Sequence, residues 1–441
     1  MKLFGTDGIR GIAGEELCEE LARKVGNAVG RMLCEGDLPR LAVIGYDTRE
    51  SSEWLCSALC SGLTAAGCDA LVVGVAPTPT VAYLTTELKA GAGVVISASH
   101  NPWEYNGIKI FGHDGRKLPD AWEEQIERSV LYGKEVKGDA TGRVKDARGA
   151  TELYISYALL AAGAELSGMR IGVDLANGAT VSTAIRALEA AGAECVVLAD
   201  KPNGRNINDR CGSTHTESLA HTVTELGLDC GVAFDGDGDR LIAVDGYGRE
   251  VNGDRILGVI APSLIARSRA RCGTVVGTVM TNPGLTSYLM GLGIRVARSR
   301  VGDRFVSELM QGTGAILGGE SSGHIIFSEL MTTGDGLLTA LILLRTVKES
   351  GASLSALADR VPIMPERTVS LAADAEKRSR LSTCSAIWDK VREYEHALGD
   401  KVLIVVRASG TEPCIRITVS AATAALVDEI CSELSRLVES L

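Results

Sequence analysis

Aromatic residues are scarce in this chain, at 4% of 441 residues. Long apolar runs are missing as well. The longest, residues 337–344, includes Thr339 and soon meets Arg345, far short of the roughly 20 residues a membrane helix needs. Nor is there an excess of basic residues, since 45 Lys and Arg face 56 Asp and Glu, a net charge of −11. Sequence-independent nucleic-acid binding requires a basic footprint and is excluded. The twelve cysteines form no CxxC pair. Cys18, Cys34, Cys56, Cys60 and Cys68 fall among Leu and Ala, where a free thiol acts as a small hydrophobe. Buried reduced thiols are therefore expected, not a disulfide or zinc framework. Residues 1–14 lack a basic region followed by an apolar one, so no signal peptide is expected, and a cytoplasmic protein is. Walker A and kinase strings are absent, as is a Gly-x-Gly-x-x-Gly after the first strand. Nucleotide and nicotinamide chemistry therefore have no foothold.

What remains is an ordinary folded composition, 45% apolar and 23% charged, in a chain long enough for two to four domains. Leu17, Leu21, Val25, Ala28, Val29, Met32 and Leu33 recur at helical spacing, and residues 41–46 then read as a buried strand. A helix over 54–66, a strand over 71–75, a helix over 80–88 and a strand over 93–97 follow. This alternation predicts parallel sheets covered on both faces. Polar, Gly-containing stretches at 138–149, 246–253 and 361–368 divide the chain into residues 1–150, 151–250, 251–362 and 363–441. The first three are expected to be similar α/β domains with mainly parallel mixed sheets. The fourth is expected to be a smaller α+β domain, with strands over 402–406 and 415–419 and a helix over 424–437.

Four strings carry chemistry. The strand that ends in Ser97-Ala98-Ser99-His100-Asn101-Pro102 places Ser99 where parallel sheets bind ligands, just past a strand's carboxyl end, although Ser and Asn also favour plain turns. Asp235-Gly236-Asp237-Gly238-Asp239-Arg240 follows another apolar strand. Three converging carboxylates need a cation, and hard oxygen donors suit Mg²⁺ or Ca²⁺. An EF-hand is ruled out, because Arg240 and Gly246 stand where it needs Gly and Glu. Gly319-Glu320-Ser321-Ser322-Gly323-His324 offers polar groups to sugar hydroxyls, yet alone it reads more readily as a plain turn. Arg407-Ala408-Ser409-Gly410-Thr411-Glu412-Pro413, followed by Arg416, has the chemistry of a phosphate cradle. With one string in each segment, the site is expected in a central cleft between domains.

These strings, in this order, together with Phe4-Gly5-Thr6-Asp7-Gly8-Ile9-Arg10-Gly11, resemble the α-D-phosphohexomutase family over essentially the whole chain. Pro202-Asn203-Gly204-Arg205-Asn206-Ile207-Asn208, Cys211-Gly212-Ser213-Thr214-His215, Val301-Gly302-Asp303-Arg304 and Thr332-Thr333-Gly334-Asp335-Gly336 are similar to its hexosamine-phosphate subgroup. Ser321 and Arg300 depart from the Gln and Lys usual there. The resemblance implies that Ser99 is a phosphoserine and that its phosphate, with Asp235, Asp237 and Asp239, holds one Mg²⁺. It implies that Glu320, Ser322 and Arg300 lie at the sugar, and that Arg407, Ser409, Gly410, Thr411 and Arg416 bind the non-reacting phosphate. Arg10, His100, Lys109 and His324 would surround the transferred group, with Lys109 or His324 moving a proton, and Arg240 would support the phosphoserine. The implied reaction interconverts glucosamine 6-phosphate and glucosamine 1-phosphate through a 1,6-bisphosphate, feeding UDP-N-acetylglucosamine synthesis. Glucosamine 1,6-bisphosphate or glucose 1,6-bisphosphate would be the activating donor. The implied partners are a small phosphosugar and, as an open option, a second copy in a homodimer. A glucose- or mannose-phosphate mutase of the same family is the alternative, and an inactive sugar-phosphate-binding scaffold a more distant one.

Overall fold

The computed structural model describes residues 3–5, 7–267, 273–409 and 413–441. Four sheets follow one another along the chain. The first contains β1 (Phe4–Gly5), β2 (Gly8–Ile12), β3 (Leu41–Tyr46), β4 (Asp69–Val75), β5 (Ala92–Ile96), β6 (Tyr105–Gly112) and β7 (Val144–Asp146), in the order β1-β2-β6-β5-β3-β4-β7. Its β5-β3-β4-β7 half is parallel, and its β1-β2-β6-β5 half is antiparallel. The second sheet contains β8 (Arg170–Asp174), β9 (Glu194–Leu198), β10 (Cys230–Phe234), β11 (Leu241–Asp245) and β12 (Glu250–Val251). The third contains β13 (Thr274–Thr278), β14 (Arg295–Ser299), β15 (Leu317–Gly319) and β16 (Ile325–Phe327). These sheets are mixed, each with a parallel part and an antiparallel hairpin. The last sheet is antiparallel: β17 (Glu366–Ala372), β18 (Val402–Ala408) and β19 (Cys414–Ala421), with β19 central and the helix Ala424–Glu439 packed on it.

Cores explain the layering. The first sheet buries one face against the helices Glu19–Glu35 and Ser52–Ala65, through Val25, Leu33, Leu55 and Leu63, and the other against Thr78–Glu87, through Val81 and Leu84. The second and third sheets share one continuous apolar core, which runs from Tyr154 and Val232 to Leu317 and Leu344. The helix Gly336–Ser350 sits at its centre, with Leu337, Leu338, Leu341, Ile342, Leu343 and Leu344 all buried. A helix apolar on all sides belongs inside a protein, and here it is an axle between two sheets. None of the helices among the described residues is long and apolar enough to cross a membrane.

Candidate active site

β5 is buried along its whole length and ends at Ile96, so Ser97, Ala98 and Ser99 emerge from the sheet beside β3 and β6. Ser99 takes a positive φ of 54°, a conformation that costs a non-glycine residue about 1–2 kcal/mol. A buried cation offsets that strain. Arg49 donates from Nη2 to the carbonyls of Ser99 (3.0 Å) and Asn101 (2.8 Å), and from Nη1 to Tyr105 (2.9 Å) and Pro102. Its Nε donates to Asp47 at 2.8 Å, and both side chains of this pair are fully buried. Asp47 also accepts from the Ser97 hydroxyl at 2.6 Å, and that hydroxyl oxygen accepts the Ser99 N–H at 2.9 Å. From the second sheet's side, Asn208 Nδ2 donates to the carbonyls of Ser99 (3.0 Å) and Asn101 (3.1 Å).

The three aspartates occupy the turn of a hairpin whose last paired residues are Phe234 and Leu241. Gly236 in this turn has no room for a side chain, because a Cβ there would lie 2.4 Å from the Ser99 carbonyl oxygen. The Asp turn is thereby pressed directly on the Ser99 turn, and Ser99 Oγ donates to Asp235 Oδ2 at 2.6 Å. The first sheet's helix Thr78–Glu87 fastens the turn by two bonds to Asp237, from Thr78 N to its carbonyl (2.8 Å) and from Thr78 Oγ1 to its carboxylate (2.6 Å). The third sheet grips it through an isolated bridge between Arg240 and His324 and a bond from Leu241 N to Gly323 O at 3.0 Å. The turn is thus held by all three α/β units.

One ligand oxygen from each of Asp235, Asp237 and Asp239 falls within 4.8 Å of the others, and all three residues are buried. Asp237 Oδ1 and Asp239 Oδ1 are buried without a hydrogen-bond partner. Orphaned carboxylate oxygens in a convergent all-oxygen set fit a divalent cation, since each would otherwise cost its full desolvation. Burial and the charges of Asp239 and Asp237 push the Asp235 carboxyl well above its ordinary range, as crowded carboxylates without a cation should.

Cations ring this set. In the antiparallel ladder, Lys109 on β6 lies opposite Val95, and Arg10 on β2 lies opposite Gly107, so alternation places both on one face of the sheet. Lys109 Nζ reaches Asp237 at 2.7 Å, Asp7 at 3.0 Å and Asp239 at 3.4 Å. Burial opposes its charge, but these carboxylates prevail and raise its pKa well above the usual lysine value. Asp7, which also pairs with Arg10, is held well below its ordinary range: burial is outweighed by Lys109, Lys117 and Arg10. His324 faces Asp239 through Nδ1 and Asp303 through Nε2, at 3.7 Å each, while the Gly334 N–H points at Nε2 from 3.2 Å. Against burial, Asp239, Asp303 and Glu320 raise its pKa to about 9, so three carboxylates outweigh one backbone donor and the imidazolium prevails at neutral pH. His100 differs. Its Nδ1 lies 3.3 Å from Ser99 Oγ, and burial with Arg240 and Arg10 lowers its pKa to about 4, leaving it neutral. Arg10 Nε and Arg240 Nε are buried donors without partners, as an oxyanion site requires.

Sequence comparison gives this arrangement a context. Family models for phosphoglucomutase/phosphomannomutase α/β/α domains I, II and III match residues 1–137, 153–248 and 252–363, and that for the C-terminal domain matches 369–437. The chain belongs to the phosphoglucomutase/phosphomannomutase family. The phosphoglucosamine mutase of Desulforudis audaxviator is 45% identical over all of this chain and 98% of its own length. That of Thermotoga maritima is 45% identical with full coverage of both chains. Among solved structures, a phosphoglucomutase/phosphomannomutase family protein from Burkholderia thailandensis superposes with a TM-score of 0.85 at 24% identity, covering 100% of this chain and 97% of that one. The N-acetylphosphoglucosamine mutase of Aspergillus fumigatus, solved with GlcNAc-6P and magnesium, gives 0.68 at 17% identity, covering 99% and 95%. At these identities the structures show the fold alone.

Within this family fold, the structure gathers Ser99, His100, Lys109, Asp235, Asp237, Asp239, Arg240 and His324 into one cluster, with Arg10 joined through Asp7. Glu320 borders it, accepting the Gly302 N–H at 3.0 Å. Ser322 is exposed, and the exposed Arg300 stacks its guanidinium 3.8 Å above the Phe305 ring. Arg407 and Arg416 stand directly opposite each other on β18 and β19, with Ser409 buried at the end of β18. These belong to the C-terminal sheet, and Gly410 and Thr411 lie outside the described residues. Sequence reasoning missed Asp47, Arg49, Thr78 and Lys117, and gave no role to Asp7, Asn208 or Asp303. A signal existed for Asp47 and Arg49, which follow the carboxyl end of β3, next to β5 in a parallel ladder.

Proposed function

We propose that this chain is a phosphoglucosamine mutase, interconverting glucosamine 6-phosphate and glucosamine 1-phosphate through a phosphoserine at Ser99 and a bound 1,6-bisphosphate. The observation that carries this is the 2.6 Å contact between the buried Ser99 hydroxyl and Asp235, inside a convergent carboxylate set and beside the Lys109 ammonium. A protein that merely bound sugar phosphates would need neither a strained nucleophile nor a metal cage behind it. Hexosamine as the sugar is supported by the full-length relatives at 45% identity.

Asp235, Asp237, Asp239 and the Ser99 phosphate would hold Mg²⁺, which when bound neutralises charge on the phosphoryl oxygens. The remaining chemistry belongs to the chain. Arg10 and Arg240 bring spare guanidinium donors to the transferred group. In the first transfer the bond between phosphorus and Ser99 Oγ breaks as the substrate's free hydroxyl oxygen bonds to phosphorus. Lys109 or His324 moves the proton: as a cation it protonates the departing Ser99 oxygen and, once neutral, takes up the proton that the attacking hydroxyl releases, and the return transfer runs the same shuttle with the two oxygens exchanged. Glu320, Ser322 and Arg300 bind the sugar. Arg407 and Arg416, opposite each other across a ladder, offer guanidinium donors that suit the non-reacting phosphate, for which Ser409, Gly410 and Thr411 are the further candidates. Such a clamp reads phosphate and not the carbon that bears it, so the bisphosphate can turn around and present either end. Glucosamine 1,6-bisphosphate or glucose 1,6-bisphosphate would charge Ser99 at the outset.

Intact mass spectrometry with peptide mapping, before and after exposure to glucosamine 1,6-bisphosphate, tests this. One phosphoryl group should map to Ser99 and be lost in Ser99→Ala. A chain never phosphorylated under either condition, or a Ser99→Ala variant as fast as the parent, refutes the reading. Relative kcat/KM for the 6-phosphates of glucosamine, glucose and mannose decides the sugar.

A further inference from the structure

Two groups with no assigned task close a ring of alternating charge around the site. Lys109 Nζ lies 3.0 Å from Asp7 Oδ2, and Asp7 Oδ1 lies 2.6 Å from Lys117 Nζ. Lys117 Nζ also lies 2.6 Å from Asp303 Oδ2, and that oxygen faces His324 Nε2 at 3.7 Å. His324 Nδ1 faces Asp239 Oδ2 at 3.7 Å, and Asp239 Oδ2 returns to Lys109 Nζ at 3.4 Å. Asp7, Lys109 and Lys117 come from the first α/β unit, Asp239 from the second, and Asp303 and His324 from the third.

Lys117 and Asp303 differ from the other four. Both side chains are 19% exposed, beside a cavity of about 320 Å³ between the 112–122 segment and the helix Asp303–Thr313. Each is fixed by its own backbone. An isolated bridge holds Lys117 against Phe111 at the end of β6, the strand that carries Lys109, and Asp303 opens its helix right after Gly302, whose N–H is bound by Glu320. Within the ring Lys117 lies nearer Asp7 than Lys109 does and nearer Asp303 than His324 does, so it governs how much of each carboxylate is left for the site, Asp7 being shared with Arg10 as well. Without it, Asp303 would turn its whole charge on His324 and draw the ring from Asp239. Without Asp303, Lys117 would compete harder for Asp7 and loosen its hold on Lys109.

We propose that Lys117 and Asp303 are positioning residues for phosphoryl transfer, their ion pair across the first and third units holding Lys109, through Asp7, and His324 in register with Ser99. This role rests on the mutase reading above. A bare interdomain staple is the competing explanation, and the structure contains a control for it: Arg304 bonds Asp120, bridging the same two units outside the ring.

Steady-state kinetics on the full chain, with Mg²⁺, glucosamine 1,6-bisphosphate and glucosamine 6-phosphate, separates these. Lys117→Met and Asp303→Asn should each lower kcat by about 30- to 100-fold, the scale of a small misplacement of reacting groups, with KM changed by less than about threefold. Since both variants break one interaction, the double variant should be within about threefold of the worse single. Lys117→Arg should recover most of the rate, and Asp120→Asn should leave kcat at the parental value. Single variants with parental kcat, losses that multiply in the double variant, or an equal loss in Asp120→Asn would overturn the proposal. So would losses explained by a fall in unfolding midpoint. A parent inactive on the 6-phosphates of glucosamine, glucose and mannose overturns the mutase reading, and this role with it. An active parent with unaffected variants overturns only the role.

Discussion

Arg49 is the side chain on which the nucleophile's turn depends, and replacing it with Met isolates that dependence. Met keeps much of the volume but removes the charge and all of the donors. The Asp47 carboxylate then stays fully buried without its 2.8 Å cation, and the carbonyls of Ser99, Asn101, Pro102 and Tyr105 each lose a charged donor. Breaking one partner out of a buried ion pair costs about 3–5 kcal/mol. Asn208 still serves two of the carbonyls, so the low part of that range is the safer expectation. At about 2–4 °C per kcal/mol for a unit of this size, a cost of about 3 kcal/mol should make the first α/β unit unfold about 6–12 °C earlier. The catalytic effect is separable. Ser99 at φ 54° has lost the donor that pinned its carbonyl, so below the new transition Oγ should swing off Asp235 and kcat should fall by about 100-fold. Arg49→Lys, with fewer and more mobile donors, should fall between the two. Scanning calorimetry and turnover at 20 °C provide the assay. An Arg49→Met chain whose midpoint drops by less than 3 °C, or which keeps parental kcat while folded, would show that the turn is held by other means.

Other expectations follow from the same geometry. Chelation with EDTA should abolish turnover and lower the unfolding midpoint, and Mg²⁺ should restore both, because the three crowded aspartates repel without a cation; in Asp237→Asn the thermal response to Mg²⁺ should shrink sharply. At Gly334 a Cβ would meet the His324 ring at 2.4 Å, so Gly334→Ala should push the imidazole aside, cutting kcat by about 10- to 100-fold while the midpoint shifts by only a few degrees. Burial raises Asp335 to about 6, where it caps the helix Gly336–Ser350 and accepts from Tyr154 Oη at 2.8 Å. A carboxyl whose folded pKa exceeds its unfolded one withdraws stability as pH rises from about 4 through 6, roughly 3 kcal/mol here. Asp335→Asn should flatten the fall in midpoint over that window, and an unchanged slope would place the titration elsewhere.

What could be read from the sequence was chemistry concentrated in short strings behind apolar strands. Ser99 and the three aspartates qualify, because an all-buried run such as residues 230–234 announces a central strand and the polar residues after it must emerge at one sheet edge. Segments with mixed burial carried less signal. β17 alternates exposed and half-buried residues on the rim of the C-terminal sheet, and nothing in Glu366–Ala372 marks it as the third strand there. The 337–344 run was the opposite case. Its hydrophobicity was plain, but that it fills a core common to two sheets depends on partners more than a hundred residues away. The same limit hides Arg49 and Lys117. In the chain they read as solvated loop cations, and only tertiary proximity turns one into the anchor of the Ser99 turn and the other into a bridge.

The acidic total of the chain has no bearing on this cleft, because charge at the site is matched locally. Asp7, Asp235, Asp237, Asp239 and Asp303 face Arg10, Lys109, Lys117, Arg240 and, with its raised pKa, the His324 imidazolium. Carboxylates and cations are matched in number once a divalent cation keeps Asp235 ionised. A divalent cation and a phosphoserine dianion add equal and opposite charge, so the loaded cluster stays nearly neutral. That balance is what an enzyme needs if it returns to the same phosphoserine after each cycle. A surplus of cations would hold the bisphosphate too tightly to let it turn around, and a surplus of carboxylates would repel it. The second phosphate would be met separately, by Arg407 and Arg416, which stand opposite each other on the C-terminal sheet. Removing one charge from the cluster should therefore do more harm than its distance from Ser99 suggests, and it is for this reason that Lys117, which touches none of the three aspartates, is expected to matter.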